Sequence, residues 1–467
     1  MFEFKVDLTK DKIFKALLVF AIPIFIANVF QQLYNTMDTM IVGNFLGDVS
    51  LAAIGAASAI YELLIGFALG VGNGLSIVTA RCFGAQDEDA LKRSVAGSIV
   101  IGIILTIVIV VLSTFCLYPL LELLNTPADI IEEAYSYIVL ITSFVGVTFA
   151  YNLCAGLLRA IGNSVMPLVF LIVSSVINVI LDILFITQFS MGIQGAAVAT
   201  VIAQAISAVL CFLYIYKKSP LLIPQRKHFA VGMEMYKELM GQGFSMGFMM
   251  AIVSAGTVIL QTAINHFGYL IIAGHTTARK INSFCMMPAA TFSMALSTFV
   301  SQNKGANQKE RIAQGVKTAN LISIAWGVIA VLLMLVAARP LTALISGSSE
   351  AAVLDNGSLY LMVNAPFYAV LGILLNLRNS LQGLGRKVIP LISSVIEFLG
   401  KIVFVILFIP ILDYFGVIIC EPVIWCCMCL QLWFAFYRDP YMKSSKKTKE
   451  KMVSVSQEPS LCEEESV

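Results

Sequence analysis

Charged residues are scarce in this chain. Asp, Glu, Lys and Arg make up 12% of its 467 residues, about half the share of a soluble protein. So few charges cannot cover the surface of a globular protein of this size, so the composition excludes a soluble domain. Hydrophobic residues make up 59% of the chain. We therefore expect an all-α integral membrane protein whose main partner is the lipid bilayer.

Signals for catalysis, metal binding or nucleic-acid binding are also few. The three histidines show no ligand spacing, and the net charge is only +2. The C-x-x-C of Cys426 and Cys429 lies in an apolar run without a second pair. We therefore expect these cysteines to be buried thiols rather than metal ligands or a redox site. The enzyme-like strings "GFSMG" (243–247) and "GVGNG" (70–74) lie in apolar helices rather than after a strand. We predict no enzyme, no cofactor and no nucleic-acid partner, with a polytopic membrane enzyme as a distant alternative.

Long apolar runs recur along the chain, and each is long enough for the roughly 20 residues that span a bilayer. They predict twelve transmembrane helices. The predicted segments are 15–44, 51–78, 95–117, 134–156, 167–188, 193–216, 239–264, 270–299, 317–337, 357–381, 389–411 and 415–437.

Basic residues alternate between the connecting segments. Of the 30 Lys and Arg residues, 26 flank the helices on one side, and Arg339 alone lies on the other. The positive-inside rule then predicts that both termini are cytoplasmic. The first fifteen residues are charged and no small-residue cleavage site follows them, so we expect the first helix to be retained as an anchor.

The two halves of the chain repeat each other. "GAQDEDALKRSVAGS" resembles "GANQKERIAQGVKTA" at an offset of 221, and "LLRAIGNSVMPLVF" resembles "SLQGLGRKVIPLIS" at an offset of 223. Parallel repeats are a transporter architecture with its site between the halves. The pattern predicts two six-helix lobes in a pseudo-twofold arrangement, at 1–216 and 239–437. A basic cytoplasmic linker (217–238) joins them, and a disordered cytoplasmic tail follows at 438–467.

The motifs resemble a known family. "QQLYNTMDTMIVG" in helix 1, "SLAAIGAAS" opening helix 2, "GLLRAIGNSVMP" before helix 5 and "GIQGAAVATVIAQ" in helix 6 are similar to the multidrug and toxic compound extrusion (MATE) family of prokaryotes. The resemblance covers about residues 10–437. It implies an H+ or Na+ antiporter in the bacterial inner membrane that exports organic, often cationic, drugs and works as a monomer. A lipid-linked saccharide flippase of the same superfamily is the nearer alternative.

Four polar residues share one depth in the first half. Asp38, Asp182 and Thr200 each lie seven or eight residues from the outer end of their helices, about 10–12 Å below the surface. Asn178 precedes Asp182 by one turn and shares its face. A carboxylate at this depth is costly and indicates function. The four residues are a candidate cage for H+ or Na+, and the MATE resemblance implies the same cation-coupling role. The alternative is that they only pin helices together.

The second half lacks this cage, because Ile259 and Val405 align with the two aspartates. Glu62, Gln261 and Glu421 are candidates for a substrate cavity that we expect to be mainly acidic. Glu397 and Lys401, four residues apart on a predicted helix, are a candidate ion pair. No metal site other than one for Na+ is expected. For Arg279 and Lys280 the sequence leaves two alternatives open, facing the aqueous cavity or reaching outward to the membrane surface.

Overall fold

The computed structural model describes residues 6–124 and 126–443, and every regular element in them is a helix. The tail predicted at 438–467 lies outside the described residues from 444 onward. The α-helices are α1 (Ile13–Leu46), α2 (Asp48–Gly84), α3 (Glu88–Leu123), α4 (Ala128–Ser143), α5 (Val145–Ala160), α6 (Val165–Ile183), α7 (Ile193–Lys218), α8 (Met233–Ile264), α9 (Tyr269–Gly305), α10 (Lys309–Ser346), α11 (Ala351–Asn364), α12 (Tyr368–Gly383), α13 (Val388–Val403) and α14 (Ile409–Tyr437).

These helices form twelve membrane spans. Nine are single apolar units, and α4 with α5 forms a tenth that is bent by 49° at Phe144. The remaining helical stretch runs for 50 residues from Val388 to Tyr437, about 75 Å, which is far longer than a bilayer is thick. It is broken at Asp413, where φ is 51° and ψ is −140°. One span therefore lies on each side of Asp413, which brings the total to twelve. The twelve-helix prediction is confirmed.

Several helices extend beyond the predicted segments. Helix α3, the third predicted segment, begins at Glu88 rather than near residue 95. Helix α10, the ninth predicted segment, begins at Lys309 rather than near residue 317. The added turns carry charged residues, including the Glu88–Lys92 and Asp89–Arg93 pairs four residues apart. Such pairs support a helix in water. Hydropathy marks only the part of a helix inside hydrocarbon, so it misses these ends.

The predicted repeat appears in the backbone. Left-handed φ values occur at matching positions of the two halves: Gly47 and Gly268 at 84°, Gln86 and Asn307 at 57° and 56°, Gly162 and Gly385 at 88° and 77°, and Ser190 and Asp413 at 51°. The members of each pair are 221 or 223 residues apart. Because side chains other than glycine rarely adopt these φ values, the matches show one chain path used twice. We call the halves lobe 1 (α1–α7) and lobe 2 (α8–α14).

The two lobes exchange their first helices. Lobe 2 has a buried core that includes Ala16, Phe20 and Ile24 from the first half of α1. The core of lobe 1 includes Ile41 and Val42 from the second half of α1, together with Leu239 from the start of α8. The first part of each lobe's first helix therefore packs in the core of the other lobe. We call the side where α1 begins and α2 ends the basic side, because the basic connecting segments lie there.

Contacts between the lobes gather in the half of the molecule nearer the basic side. The Ser301 hydroxyl donates to the Ile77 carbonyl at 2.6 Å, and the Gln302 amide donates to the Ala160 carbonyl at 2.7 Å. Glu238 of lobe 2 pairs with Arg81 of lobe 1 and with Lys387, both at 2.7 Å. All the direct cross-lobe hydrogen bonds among the described residues lie in this half. The lobes are therefore closed on the basic side.

Candidate functional site

The two predicted aspartates of lobe 1 lie side by side. Asp182, near the end of α6, is fully buried, and Asp38 of α1 is 9% exposed. Their carboxyl groups lie close enough to interact with each other. Two carboxylates in one buried site cannot both stay ionised at low cost. The pair is therefore suited to hold a proton or another cation between its oxygens.

Asn178 and Thr200 complete this group. The Asn178 amide donates to the Thr200 hydroxyl at 3.4 Å, a long contact, and Asn178 is 2% exposed. Four buried oxygens in the group accept no hydrogen bond from the protein: one each from Asp38 and Asn178, and both from Asp182. Buried polar atoms normally have partners. Oxygens of this kind are hard donors that can bind an alkali cation, and a carboxylate oxygen can also bind a proton.

Three tyrosines that the sequence analysis missed surround the aspartates. Tyr137 is buried, Tyr34 and Tyr61 are half-buried, and all three lie within electrostatic range of Asp38. Tyr137 also lies within range of Asp182. Tyr34 precedes Asp38 by four residues, so helix periodicity could have identified it. Tyr137 comes from α4, and no local pattern connects it to Asp38.

A small polar cavity extends from this group toward the basic side. Its volume is about 30 Å³, enough for a water molecule. Asn178 and Thr200 lie at one end. Gln204 lies one turn after Thr200, and its side chain accepts a hydrogen bond from the Thr148 hydroxyl. The cavity is lined further by Gln31, Tyr34, Tyr61, Asn152, Ser174, Ser175 and Ser207.

Lobe 2 has a different polar cluster. The Arg279 guanidinium of α9 donates to the Glu421 carboxylate at 2.5 Å, and the Tyr360 hydroxyl donates to the other Glu421 oxygen at 3.0 Å. Glu421 is 7% exposed. The structure thus places this predicted cavity residue behind Arg279 rather than at an open surface. Arg279 and Glu421 are 142 residues apart, so sequence spacing carries no sign of the contact.

The other predicted cavity residues lie apart from the aspartates. Glu62 on α2 is exposed and within electrostatic range of Arg279. Gln261 is exposed one turn from the end of α8, where its amide donates to Asn265 at 2.9 Å. Lys280 is exposed next to Arg279.

The predicted ion pair in α13 has a third member. Lys401 Nζ lies 3.0 Å from Glu397 Oε1, and Arg378 Nη2 lies 3.7 Å from Glu397 Oε2. All three side chains are buried or nearly so. Two donor nitrogens of Arg378 lack a hydrogen-bond partner. One carboxylate therefore neutralises two buried cations only in part.

Solved structures share this fold. A crystal structure of MATE in the bent conformation matches with a TM-score of 0.87 at 21% identity, over 96% of this chain and 100% of that one. The outward-facing conformation of a multidrug resistance MATE family transporter matches with a TM-score of 0.83 at 21% identity, over 93% and 98% of the two chains. At these identities the likeness concerns the fold alone.

Sequence relatives span most of the chain. The probable multidrug resistance protein YoeA of Bacillus subtilis is 26% identical over 399 residues, 84% of this chain and 86% of the relative. YpnP of the same organism, also a probable multidrug resistance protein, is 28% identical over 66% of this chain and 68% of its own length. The probable multidrug resistance protein NorM of Thermotoga maritima is 23% identical over 82% of both chains.

A family model matches both lobes. The MatE model covers residues 23–184 and again 246–407, two stretches whose starts are 223 residues apart, the offset of the repeat. The matches begin at Pro23 in α1 and at Met246 in α8, the two helices that the lobes exchange. They leave out the linker and the tail, and together they cover more than half of the sequence. The resemblance to the MATE family is therefore confirmed, and this multi-pass membrane protein belongs to the MatE family.

Proposed function

We propose that this protein is a cation-coupled antiporter that exports organic, often cationic, drugs in exchange for H+ or Na+. One observation carries the proposal: four unpartnered buried oxygens of Asp38, Asn178 and Asp182 converge in lobe 1. Such oxygens are costly unless a cation or proton occupies the site at some stage. The relatives named as multidrug resistance proteins support export of drugs. They do not favour the flippase alternative or an enzyme.

Helix α1 supplies the link between cation binding and movement of the lobes. Its outer half carries Asp38 against lobe 1, and its inner half is buried in the core of lobe 2. Pro23 lies in that inner half and leaves one backbone carbonyl of the helix without its usual donor. A change of charge at Asp38 therefore acts on a helix that both lobes hold. In this proposal, cation occupancy biases the lobes between two states.

The alternating-access cycle starts from the state described above. With both termini and the basic side in the cytoplasm, lobes that meet on the basic side leave the opposite, external side accessible. Cation binding from outside then favours a state open to the cytoplasm, where the cation leaves and a drug enters. The polar cavity from Thr200 to Gln204 runs in the direction that the cation must take. The bacterial inner membrane and a functional monomer complete the proposal.

Gradient-driven uptake into proteoliposomes tests the coupling. The full chain is reconstituted, a proton or a sodium gradient is imposed separately, and accumulation of a fluorescent organic cation is followed. Asp38→Asn keeps shape and hydrogen bonding but cannot bind and release a proton, so transport under both gradients should fall to the level of empty liposomes. Asp182→Asn should do the same. Drug binding without a gradient should survive in both variants.

Asp129→Asn is the matched control, because Asp129 is exposed in the first turn of α4. It should transport at the wild-type rate. Transport by Asp38→Asn at the wild-type rate under either gradient would remove the coupling role and leave Asp38 as a residue that only pins helices.

A further inference from the structure

Helices α2 and α9 contact each other across the two lobes, and equivalent faces of their outer halves are exposed. We call the space that these faces border, on the side opposite the basic side, the outer cleft. In α2 the exposed residues recur about once per turn through the outer half. In α9 the residues 221 positions later are exposed in the same way, Arg279 being one-third exposed. The matched pairs are Ala52 and Ala273, Gly55 and Thr276, Ser58 and Arg279, and Glu62 and Ser283.

The two faces carry opposite charges. Glu62 on α2 matches the uncharged Ser283, and Arg279 on α9 matches the uncharged Ser58. The repeat therefore gives the lobes the same shape on this face but not the same charge. Glu62 and Arg279 lie within electrostatic range of each other, but no ion pair joins them. A negative group on one wall and a positive group on the other are thus separated by the cleft.

Arg279 is built as a receptor for an anionic group. One guanidinium nitrogen is held by Glu421 at 2.5 Å, and Tyr360 holds the far oxygen of that carboxylate at 3.0 Å. These contacts fix the guanidinium from behind, where Glu421 is only 7% exposed. Tyr360 also lies close to the guanidinium itself. The side chain is 33% exposed, and its outward edge makes no ion pair with the described residues. Because an Arg guanidinium can donate to two groups through different edges, the free edge can donate hydrogen bonds to a carboxylate.

The rest of lobe 2 adds positive charge behind Arg279. Lys401 lies within electrostatic range of Glu421. Lys401 and Arg378 share the single carboxylate of Glu397. Counting Arg279 and Glu421, these five buried or half-buried groups carry three positive and two negative charges. Glu421 therefore does not cancel the positive potential at this wall, and an anionic group in the cleft is attracted to it.

We propose that the outer cleft binds zwitterionic organic molecules, with the cationic part toward Glu62 and a carboxylate on the free edge of Arg279. This inference rests on the proposed export function and names a substrate class for it. The mainly acidic cavity expected from the sequence omits Arg279, whose direction the sequence left open. The structure directs its side chain to Glu421 and the cleft.

Two dyes with one skeleton test the inference. Rhodamine B carries a cationic ring system and a free carboxylate, and its ethyl ester keeps the cation without the carboxylate. Binding of each dye to the purified full chain in lipid nanodiscs is measured by fluorescence anisotropy without any gradient. The wild type should bind the acid about tenfold more tightly than the ester, the size of one partly screened charge-assisted hydrogen bond.

Variants assign the preference to Arg279. Arg279→Gln combined with Glu421→Gln removes both charges without leaving either buried charge unpaired, and the acid-to-ester preference should fall to about one. Arg279→Lys keeps the charge and should retain part of the preference, which decides the matter if the double variant does not fold. Glu62→Gln should weaken both dyes by a similar factor. Asp129→Asn, in the first turn of α4 and outside this face, should leave both affinities unchanged.

Equal binding of the two dyes by the wild type, or a preference for the ester, would overturn the inference. A full preference in the double variant would also overturn it. Because these measurements use no gradient, they are independent of cation coupling. Loss of coupling in Asp38→Asn with no acid preference in the wild type would remove this inference alone, and the reverse results would remove only the coupling proposal.

Discussion

Gly84 and Gly305 each pack directly on the backbone of the other lobe. A Cβ atom at Gly84 would lie 1.9 Å from the Gln302 carbonyl oxygen, and one at Gly305 would lie 2.0 Å from the Arg81 carbonyl oxygen. Gly84 matches Gly305 in the repeat, and Arg81 matches Gln302. This close approach of the lobes is thus one contact made twice about the pseudo-twofold axis. No methyl group fits at either position while the basic side is closed.

Gly84→Ala should therefore push the lobes apart on the basic side. The clash is with backbone, so no rotamer change relieves it, and overpacking of this kind costs about 1–3 kcal/mol. Spin labels at the exposed positions 86 and 307 report the separation on the basic side by electron–electron distance measurement. The variant should shift the distribution to longer distances, and export should slow.

Gly55→Ala is the matched control, because Gly55 lies on the same helix and a Cβ there would meet nothing within 4 Å. It should leave the distances on the basic side unchanged. Wild-type distances in Gly84→Ala would show that the described closed state is not the populated one.

Thr200→Ala should weaken coupling without abolishing it. The hydroxyl accepts from Asn178 at 3.4 Å and supplies geometry rather than charge, so the half-saturating coupling-ion concentration should rise roughly tenfold. Thr200→Ser keeps the hydroxyl and should restore most of the affinity. Measurement of gradient-driven uptake against ion concentration separates the two. Equal defects in both variants would mean that the methyl group, through packing, is what matters.

The three-residue cluster in lobe 2 predicts an order of stability losses. Glu397→Gln removes the carboxylate that the buried Arg378 and Lys401 share, which costs about 3–5 kcal/mol. Lys401→Gln leaves Glu397 with Arg378 and should cost less. The apparent Tm of the purified protein in detergent should fall more in the first variant than in the second. Asp355→Asn breaks the exposed pair with Arg339 and should change the Tm little.

Reversal of both charges in the Glu397–Lys401 pair tests whether Arg378 acts on that pair. With Glu397→Lys and Lys401→Glu together, the new lysine would face Arg378, so the double variant should recover only part of the stability that either single reversal loses. Full recovery would show that Arg378 does not act on the pair.

Cysteine labelling tests the orientation. In a variant without the ten native cysteines, Leu123→Cys should react with a membrane-impermeant reagent in intact cells. Arg226→Cys should react only after permeabilisation, because the positive-inside rule places the linker in the cytoplasm. Both positions are exposed. The reverse pattern would invert the topology and the direction of the proposed cycle.

The sequence by itself determined the number of spans, the repeat and the candidate residues of lobe 1. Spanning a bilayer requires about 20 apolar residues in a row, so each span can be recognised from its own segment of the sequence. An offset of 221 or 223 likewise requires only the comparison of two stretches. Asp38 and Asp182 could be placed at one depth because helix rise converts residue number into distance.

Only the tertiary structure decided which polar groups meet. Tyr137 approaches the aspartates from another helix, and Arg279 meets Glu421 across 142 residues. In lipid, helices associate through packing and sparse hydrogen bonds rather than through an amphipathic pattern, so a span does not show which neighbour each face will touch. For the same reason, the division of α1 between the two lobes could not be predicted from its sequence. Both of its halves are apolar, and only the shapes of the two cores assign one half to each.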